Sequence, residues 1–250
     1  MPPTAPVSNA RQRVHAAVRA EIVAEARAQL AASGAAGLSL RAVARQLGMA
    51  PSAMYRYFQS RDEILTALIV EGYDAMGEVA EAAATSAEPP AERVRSVCRS
   101  LREWALEHPH EYALLYGSPV PGYRAPELTV AAASRVTIVL GGIVRDACQA
   151  GAIAESRVPR VSAAMAAQAQ PAGQAIMPGV PLRVASRALV MWSLLFGQIN
   201  FEVFGRLEGV VADGGVLFDF TVDTILDMLG FSVAGTEPPP ETNEDAPAPA

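Results

Sequence analysis

Apolar residues recur at helical spacing along most of this chain, and no stretch sustains the apolar–polar alternation of a half-buried strand. The first such stripe is Val14, Val18, Ile22 and Leu30, predicting a helix over 10–32 that stops at Ser33-Gly34. A second places Leu40, Val43, Ala44 and Leu47 on one face, and a third, short one puts Met54 and Phe58 inward. Ile64, Leu65, Leu68, Ile69, Met76 and Val79 mark a long helix from Ser60 onward. Further helices are expected over 91–107, 110–116, 127–150, 182–206 and 216–229, with 157–181 read as a helix interrupted by prolines. Loops fall at 85–90 and at 117–126, where glycine and proline concentrate. The expected fold class is all-α.

The stretch 38–58, LSLRAVARQLGMAPSAMYRYF, carries the most local detail. Ser39 precedes an apolar stripe, where its hydroxyl is suited to accept from an unpaired backbone N–H. Gly48 follows the stripe and suits the left-handed turn that ends a helix. Pro51 suits the first turn of the next, having no N–H to leave unpaired. With Met54 and Phe58 turned inward, Ser52, Ala53 and Arg56 project outward. Helix, glycine turn and short presented helix form the layout of a helix-turn-helix. Ser60 and Glu63 then have the spacing of a capping box.

In this register Ser39, Leu40, Val43, Ala44, Gly48, Met54, Tyr55, Tyr57, Phe58, Ser60, Glu63 and Leu65 resemble the head of the TetR family of one-component transcriptional regulators, over roughly residues 10–70. Ala50 and Ala53 depart from it, standing where the family commonly has a hydroxyl side chain. The resemblance implies a three-helix DNA-binding domain over 10–59 and a larger helical effector-binding and dimerisation domain over 60–232. A disordered arm is expected over 1–9 and a disordered acidic, proline-rich tail over 233–250. For DNA contact the resemblance points to Ser39 and Arg41 at the start of the second helix, and to Ser52, Ala53, Tyr55, Arg56 and Tyr57 on the third. Tyrosine hydroxyls there suit phosphates, while Arg56 has the fork that pairs with guanine O6 and N7. The carboxyl half resembles the WHG-type ligand-binding domain, with Trp192 in place but Phe196 where the namesake His stands.

Charge agrees with a DNA-facing end. Residues 1–61 hold eight arginines against Glu21 and Glu25, while the whole chain is −6, so the basic footprint is confined to the first quarter. All the basic residues are arginine. Cys98 and Cys148 lie in apolar-periodic segments and read as core residues instead of a disulfide framework. No run approaches the ~18 apolar residues that span a bilayer, and no secretory core opens the chain, so a cytoplasmic protein without membrane contact is expected. His108, His110 and Glu111 have poor metal geometry, and no nucleophile, phosphate loop or paired-Cys spacing appears. No enzyme activity, cofactor or metal is therefore expected.

Tyr112, Leu115, Tyr116, Tyr123, Trp192, Leu195 and Phe196 are the candidates for contact with a small apolar or aromatic effector, because such pockets are apolar with a few orienting polar groups. One short reading helix covers few bases, so a homodimer on a palindromic operator is expected. The resemblance puts the dimer interface on the last two helices, where Leu189, Val190, Leu194, Phe218, Ile225 and Leu226 supply apolar surface. Repression by promoter occlusion is the default reading. The alternative is a protein-interaction adaptor or ligand sensor built on the same head without specific DNA binding, kept open by Ala50 and Ala53.

Overall fold

Glycines, prolines and capping side chains set where each apolar stripe stops, and a computed structural model of the chain describes the result for residues 7–85, 87–154 and 160–231. Within them lie α1 (Val7–Gly37), α2 (Leu40–Gln46), α3 (Pro51–Met54), α4 (Arg61–Ala84), α5 (Pro90–Glu107), α6 (Pro109–Tyr116), α7 (Thr129–Gln149), α8 (Ala163–Ile176), α9 (Leu182–Val203) and α10 (Gly214–Leu229). The one extended pairing among the described residues is an isolated antiparallel bridge between Ile153 and Phe231. The fold is all-α, as expected.

Several boundaries differ from the sequence reading. Helix α1 starts at Val7, inside the stretch expected to be a disordered arm. A polar composition there does not by itself exclude a helix. Residues 1–6 and the acidic tail lie outside the described residues. At the other end, Gly34 breaks regular geometry with φ 67° and ψ 174°, but the chain re-enters helix through Gly37. Ala35 and Ala36, strong helix formers, resume the turn. Helix α8 is continuous across Pro171, so 157–181 is no proline-broken helix, although residues 155–159 lie outside the description.

Helix α2 begins after Ser39, whose backbone is extended, but the Ser39 side chain makes no cap hydrogen bond, contrary to expectation. Its end is built as expected. Gly48 takes φ 64°, its N–H donates to Arg45 O at 3.2 Å, and Met49 N–H donates to Ala44 O at 2.8 Å. These are the paired bonds of a Schellman turn. Pro51 opens α3, which is regular only to Met54; Tyr57 and Phe58 N–H continue the spiral by donating to Met54 O. Ser60 caps α4 by accepting from Glu63 N–H at 3.2 Å. The Glu63 carboxylate returns to Gln59 N–H at 2.7 Å, one residue before the cap, so the capping box is displaced by one position.

Two apolar cores share α4. Its first half supplies Ile64, Leu65 and Leu68 to a head core with Ile22, Ala26, Val43, Met54 and Phe58. Its second half supplies Met76 and Ala80 to a body core with Val97, Leu101, Tyr112, Ile143, Leu195 and Leu226. Gly141 lets α7 approach the end of α8: a Cβ there would lie 2.7 Å from Ile176 Cγ2. Neighbouring Gly142 has no such contact with another helix. On α9 and α10 the apolar surface exceeds what this core uses. Val190 and Leu194 are exposed as expected, whereas Phe218, Ile225 and Leu226 are buried in the protomer's own core. Phe201 (55% exposed), Val216 (67%) and Phe220 (68%) carry the outward apolar surface in their place.

Candidate nucleic-acid interface and effector chamber

The reading segment after α3 is held from behind by one arginine of α1. Arg19 lies 3.9 Å over the Phe58 ring and donates to Tyr57 O at 2.8 Å, fixing the end of a helix too short to hold itself. Arg61 donates to Leu38 O and Ala35 O, tying the α1–α2 connection to α4. Arg27 pairs with Glu71 and Glu111. The other five head arginines, 11, 13, 41, 45 and 56, are exposed and have no internal partner among the described residues. Their charge is available to an outside anion.

Of the expected DNA contacts, Arg41, Ser52, Tyr55 and Arg56 are exposed, while Ser39, Ala53 and Tyr57 are half-buried. Tyr55 is no core tyrosine, at 52% exposure. Tyr57 packs partly on the head core, and its ring stands 4.7 Å from that of His15. Arg56 and Tyr57 line a groove with Ala10, Arg11, Val14 and His15, so the amino-terminal turns of α1 flank the reading segment.

Two chambers lie among the described residues of the body. An outer cleft of about 460 Å³ lies between α4, α6, the 117–128 loop and α7, lined by Ile69, Tyr73, Leu115, Tyr123 and Ser134 among others. An inner chamber of about 260 Å³ lies between α7, α8 and α9, lined by Leu140, Val144, Met177, Met191 and Trp192 among others. Of the sequence candidates, Leu115 and Tyr123 line the outer cleft and Trp192 the inner chamber. Tyr112 and Leu195 are buried in the core, and Tyr116 and Phe196 line neither chamber.

Two of these, Tyr116 and Phe196, still bear on the chambers. Tyr116 stacks on Phe196 at 4.4 Å, Phe196 meets Trp192 at 4.3 Å, and Tyr73 meets Tyr116 edge-on at 6.1 Å. An aromatic run therefore joins the outer cleft to the inner chamber behind their walls. Burial raises the phenol pKa of Tyr73 and Tyr112, and of Tyr116, where the neighbouring Tyr73 and Tyr112 add to it, so all three remain neutral. Ile176 and Met177 escape sequence reading because prolines blur the helix there, and Thr137, on α7, escapes it because helical spacing does not show which face meets α8; the signal available is Gly141, which marks the close approach of α7 to the end of α8.

Outer cleft and head share residues. Leu114, Val120 and Tyr123 line the cleft and also pack against the head core. The Tyr123 hydroxyl lies 2.9 Å from that of Thr66 on α4. His108 is occupied otherwise, its Nδ1 lying 3.0 Å from Trp104 O and its ring stacked on Trp104.

Residues 22–68 match the family described as bacterial regulatory proteins, tetR family, and residues 94–225 match the tetracyclin repressor-like C-terminal domain. The HTH-type transcriptional regulator Rv1816 of Mycobacterium tuberculosis is 40% identical over 220 residues, covering 85% of this chain and 92% of its own. The chain belongs to the TetR family. It is a DNA-binding transcriptional regulator of that family, and the helix-turn-helix lies where the family match lies. The HTH-type regulator Mb1846 of Mycobacterium bovis shows the same identity and coverage. The crystal structure of the protein SCO4313 superposes with a TM-score of 0.72 at 35% identity, over 86% of this chain and 98% of that one. A protein of unknown function from Rhodococcus sp. RHA1 superposes at 0.65 with 26% identity, over 85% of this chain and 95% of that one. Among the described residues no helix is long and apolar enough to cross a membrane.

Proposed function

We propose that this TetR-family regulator is a repressor: a homodimer that binds a palindromic operator through two heads (residues 10–59) and releases it when a small apolar or aromatic effector enters the body (residues 60–232). The observation that carries the reading is the sharing of Leu114, Val120 and Tyr123 between the outer cleft and the head core. Whatever fills the cleft touches the groups that position the head. An effector shifts DNA affinity only by its differential affinity for the two body states, commonly about 1–3 kcal/mol.

DNA contact is assigned to Ser39, Arg41, Ser52, Ala53, Tyr55, Arg56 and Tyr57, with Arg11 and His15 beside them. The partnerless arginines of the head support it. The exposed apolar side chains of α9 and α10 support a two-fold interface, since a second copy covers the same patch with itself. The deciding experiment is binding of the purified protein to DNA flanking its own gene, with nonspecific competitor, at two salt concentrations. A complex that survives competitor and weakens steeply with salt is expected. A flat salt response, with no sequence recovered from a random DNA pool, would replace the operator reading with that of a protein adaptor.

A further inference from the structure

The two chambers of the body are neighbours with a common wall. Thr137 of α7 and Ile176 at the end of α8 line both, so the outer cleft and the inner chamber meet at that pair. Together they have the size of a drug-like ligand site, and their lining residues extend from α4 past α7 to α9.

Among the described residues no Asp, Glu, Arg or His lines either chamber. The charged notch at the head–body hinge, with Arg19, Asp62, Glu63, Glu71 and Arg124, is a separate surface that shares no lining residue with them. An ionised carboxylate or ammonium entering the chambers would lose its water and meet no counter-charge.

Polar groups are graded along the path. The outer cleft has the hydroxyls of Tyr73, Tyr123, Thr129, Ser134 and Thr137, whereas among the described residues Thr137 is the one hydroxyl lining the inner chamber. Three of these are already engaged: Tyr123 with Thr66, Thr129 with Pro126 O and Ser134 with Val130 O. Tyr73 and Thr137 have no hydrogen-bond partner among the described residues. One hydroxyl therefore waits in the outer cleft and one at the junction, with hydrocarbon and Trp192 beyond.

We propose that the effector site is a two-chamber channel for one uncharged, elongated, largely apolar molecule, its polar group held by Tyr73 or Thr137 and its apolar end in the inner chamber against Trp192. The proposal rests on the effector reading above and names its ligand class.

The test uses the purified full chain and a set of probes differing in charge and length: straight-chain alcohols from butanol to dodecanol, methyl decanoate, decanoate and decylammonium. Binding is read by displacement of the neutral dye Nile red and by tryptophan fluorescence. At neutral pH decanol and methyl decanoate should bind about 100-fold more tightly than decanoate or decylammonium. Affinity should rise with alcohol length and then level off. Ala172→Phe, at the wall of the inner chamber, should move that levelling point to shorter alcohols while butanol binding persists. Thr137→Val, which keeps the shape and removes the hydroxyl, should weaken the alcohols without making the charged probes bind better. Charged probes binding as tightly as decanol would overturn the ligand class, as would a length series untouched by Ala172→Phe. Failure of the underlying effector reading has a different signature: no compound, charged or neutral, changes the affinity of the protein for DNA.

Discussion

Thr66 and Tyr123, fifty-seven positions apart, bring their hydroxyls to 2.9 Å, joining helix α4 to the loop that walls the outer cleft. Thr66 stands one turn before Ile69 and Val70, where α4 passes from head core to body. We expect Tyr123→Phe and Thr66→Val to leave DNA affinity in the absence of effector nearly unchanged. Each should cut the effector-induced drop in affinity by about threefold to tenfold, the worth of one net hydrogen bond of about 0.5–1.5 kcal/mol. The measurement is operator affinity with and without effector for both variants and their double mutant. Full additivity of the two losses would remove the bond from the coupling.

Gly72 sits opposite α6, where a Cβ would meet Leu115 Cδ1 at 3.3 Å. Alanine there asks Leu115 to give by a few tenths of an ångström, whereas leucine must displace α6 itself. Gly72→Leu is expected to cost about 1–3 kcal/mol of stability and to change both effector and operator affinity. Urea unfolding together with both binding assays checks this; unchanged affinities in a folded variant would end the role of α4 as the lever.

Arg56 and Arg11 line one groove but should behave differently on DNA. Arg56→Ala is expected to lose about 1–3 kcal/mol of operator affinity and to relax base preference at one position of each half-site. Arg11→Ala should weaken all sequences alike and lower the salt slope by about one. Selection from random DNA with each variant, and titrations across salt, separates the two. A uniform loss for Arg56→Ala would make it a phosphate contact.

Leu194 and Phe220 are exposed apolar residues on α9 and α10. Changing both to Glu should leave helicity intact, because neither is part of the protomer core, and should yield a monomer in sedimentation experiments. Operator affinity should fall with it, since the two half-sites would be bound singly. A doubly charged variant that still sediments as a dimer would move the interface elsewhere.

The two thiols should differ in reactivity. Burial pushes the Cys98 thiol up to about 12, and raises that of half-exposed Cys148 less far. Thiolate is the reactive form, so at mildly alkaline pH a disulfide reagent should modify Cys148 slowly and Cys98 only after denaturation. The folded state keeps its proton on Cys98 where the unfolded chain, with a value near about 8.5, releases it. Any stability this contributes is present below that value and is lost as pH rises from there toward 12. Reagent titration of native and denatured protein gives the count.

The head was legible because its signals are local. Gly48, Pro51, Ser60 and Glu63 each act within four residues, and each sits at the helix boundary it predicted. Ser39 failed as a cap because spacing gives a hydroxyl's position but not its rotamer. The chambers were harder. Aromatic residues gave away the neighbourhood, yet Tyr112 and Leu195 satisfy the same periodicity by filling the core. Which wall residues face open space depends on how α7, α8 and α9 meet, and on Gly141 most of all, a tertiary fact with little trace in helical spacing.

The Schellman turn at Gly48 uses main-chain atoms alone. The turn's own hydrogen bonds therefore draw on no side chain at positions 50 or 53. Alanine at position 50 leaves α3 without a side-chain cap, and on the proposed DNA assignment alanine at 53 offers no hydrogen bond to a base edge. On the proposed DNA assignment, what Ser52, Tyr55 and Arg56 leave unsaid about an operator falls to the width and stiffness of the duplex, and mutations at base pairs the protein never touches should matter accordingly.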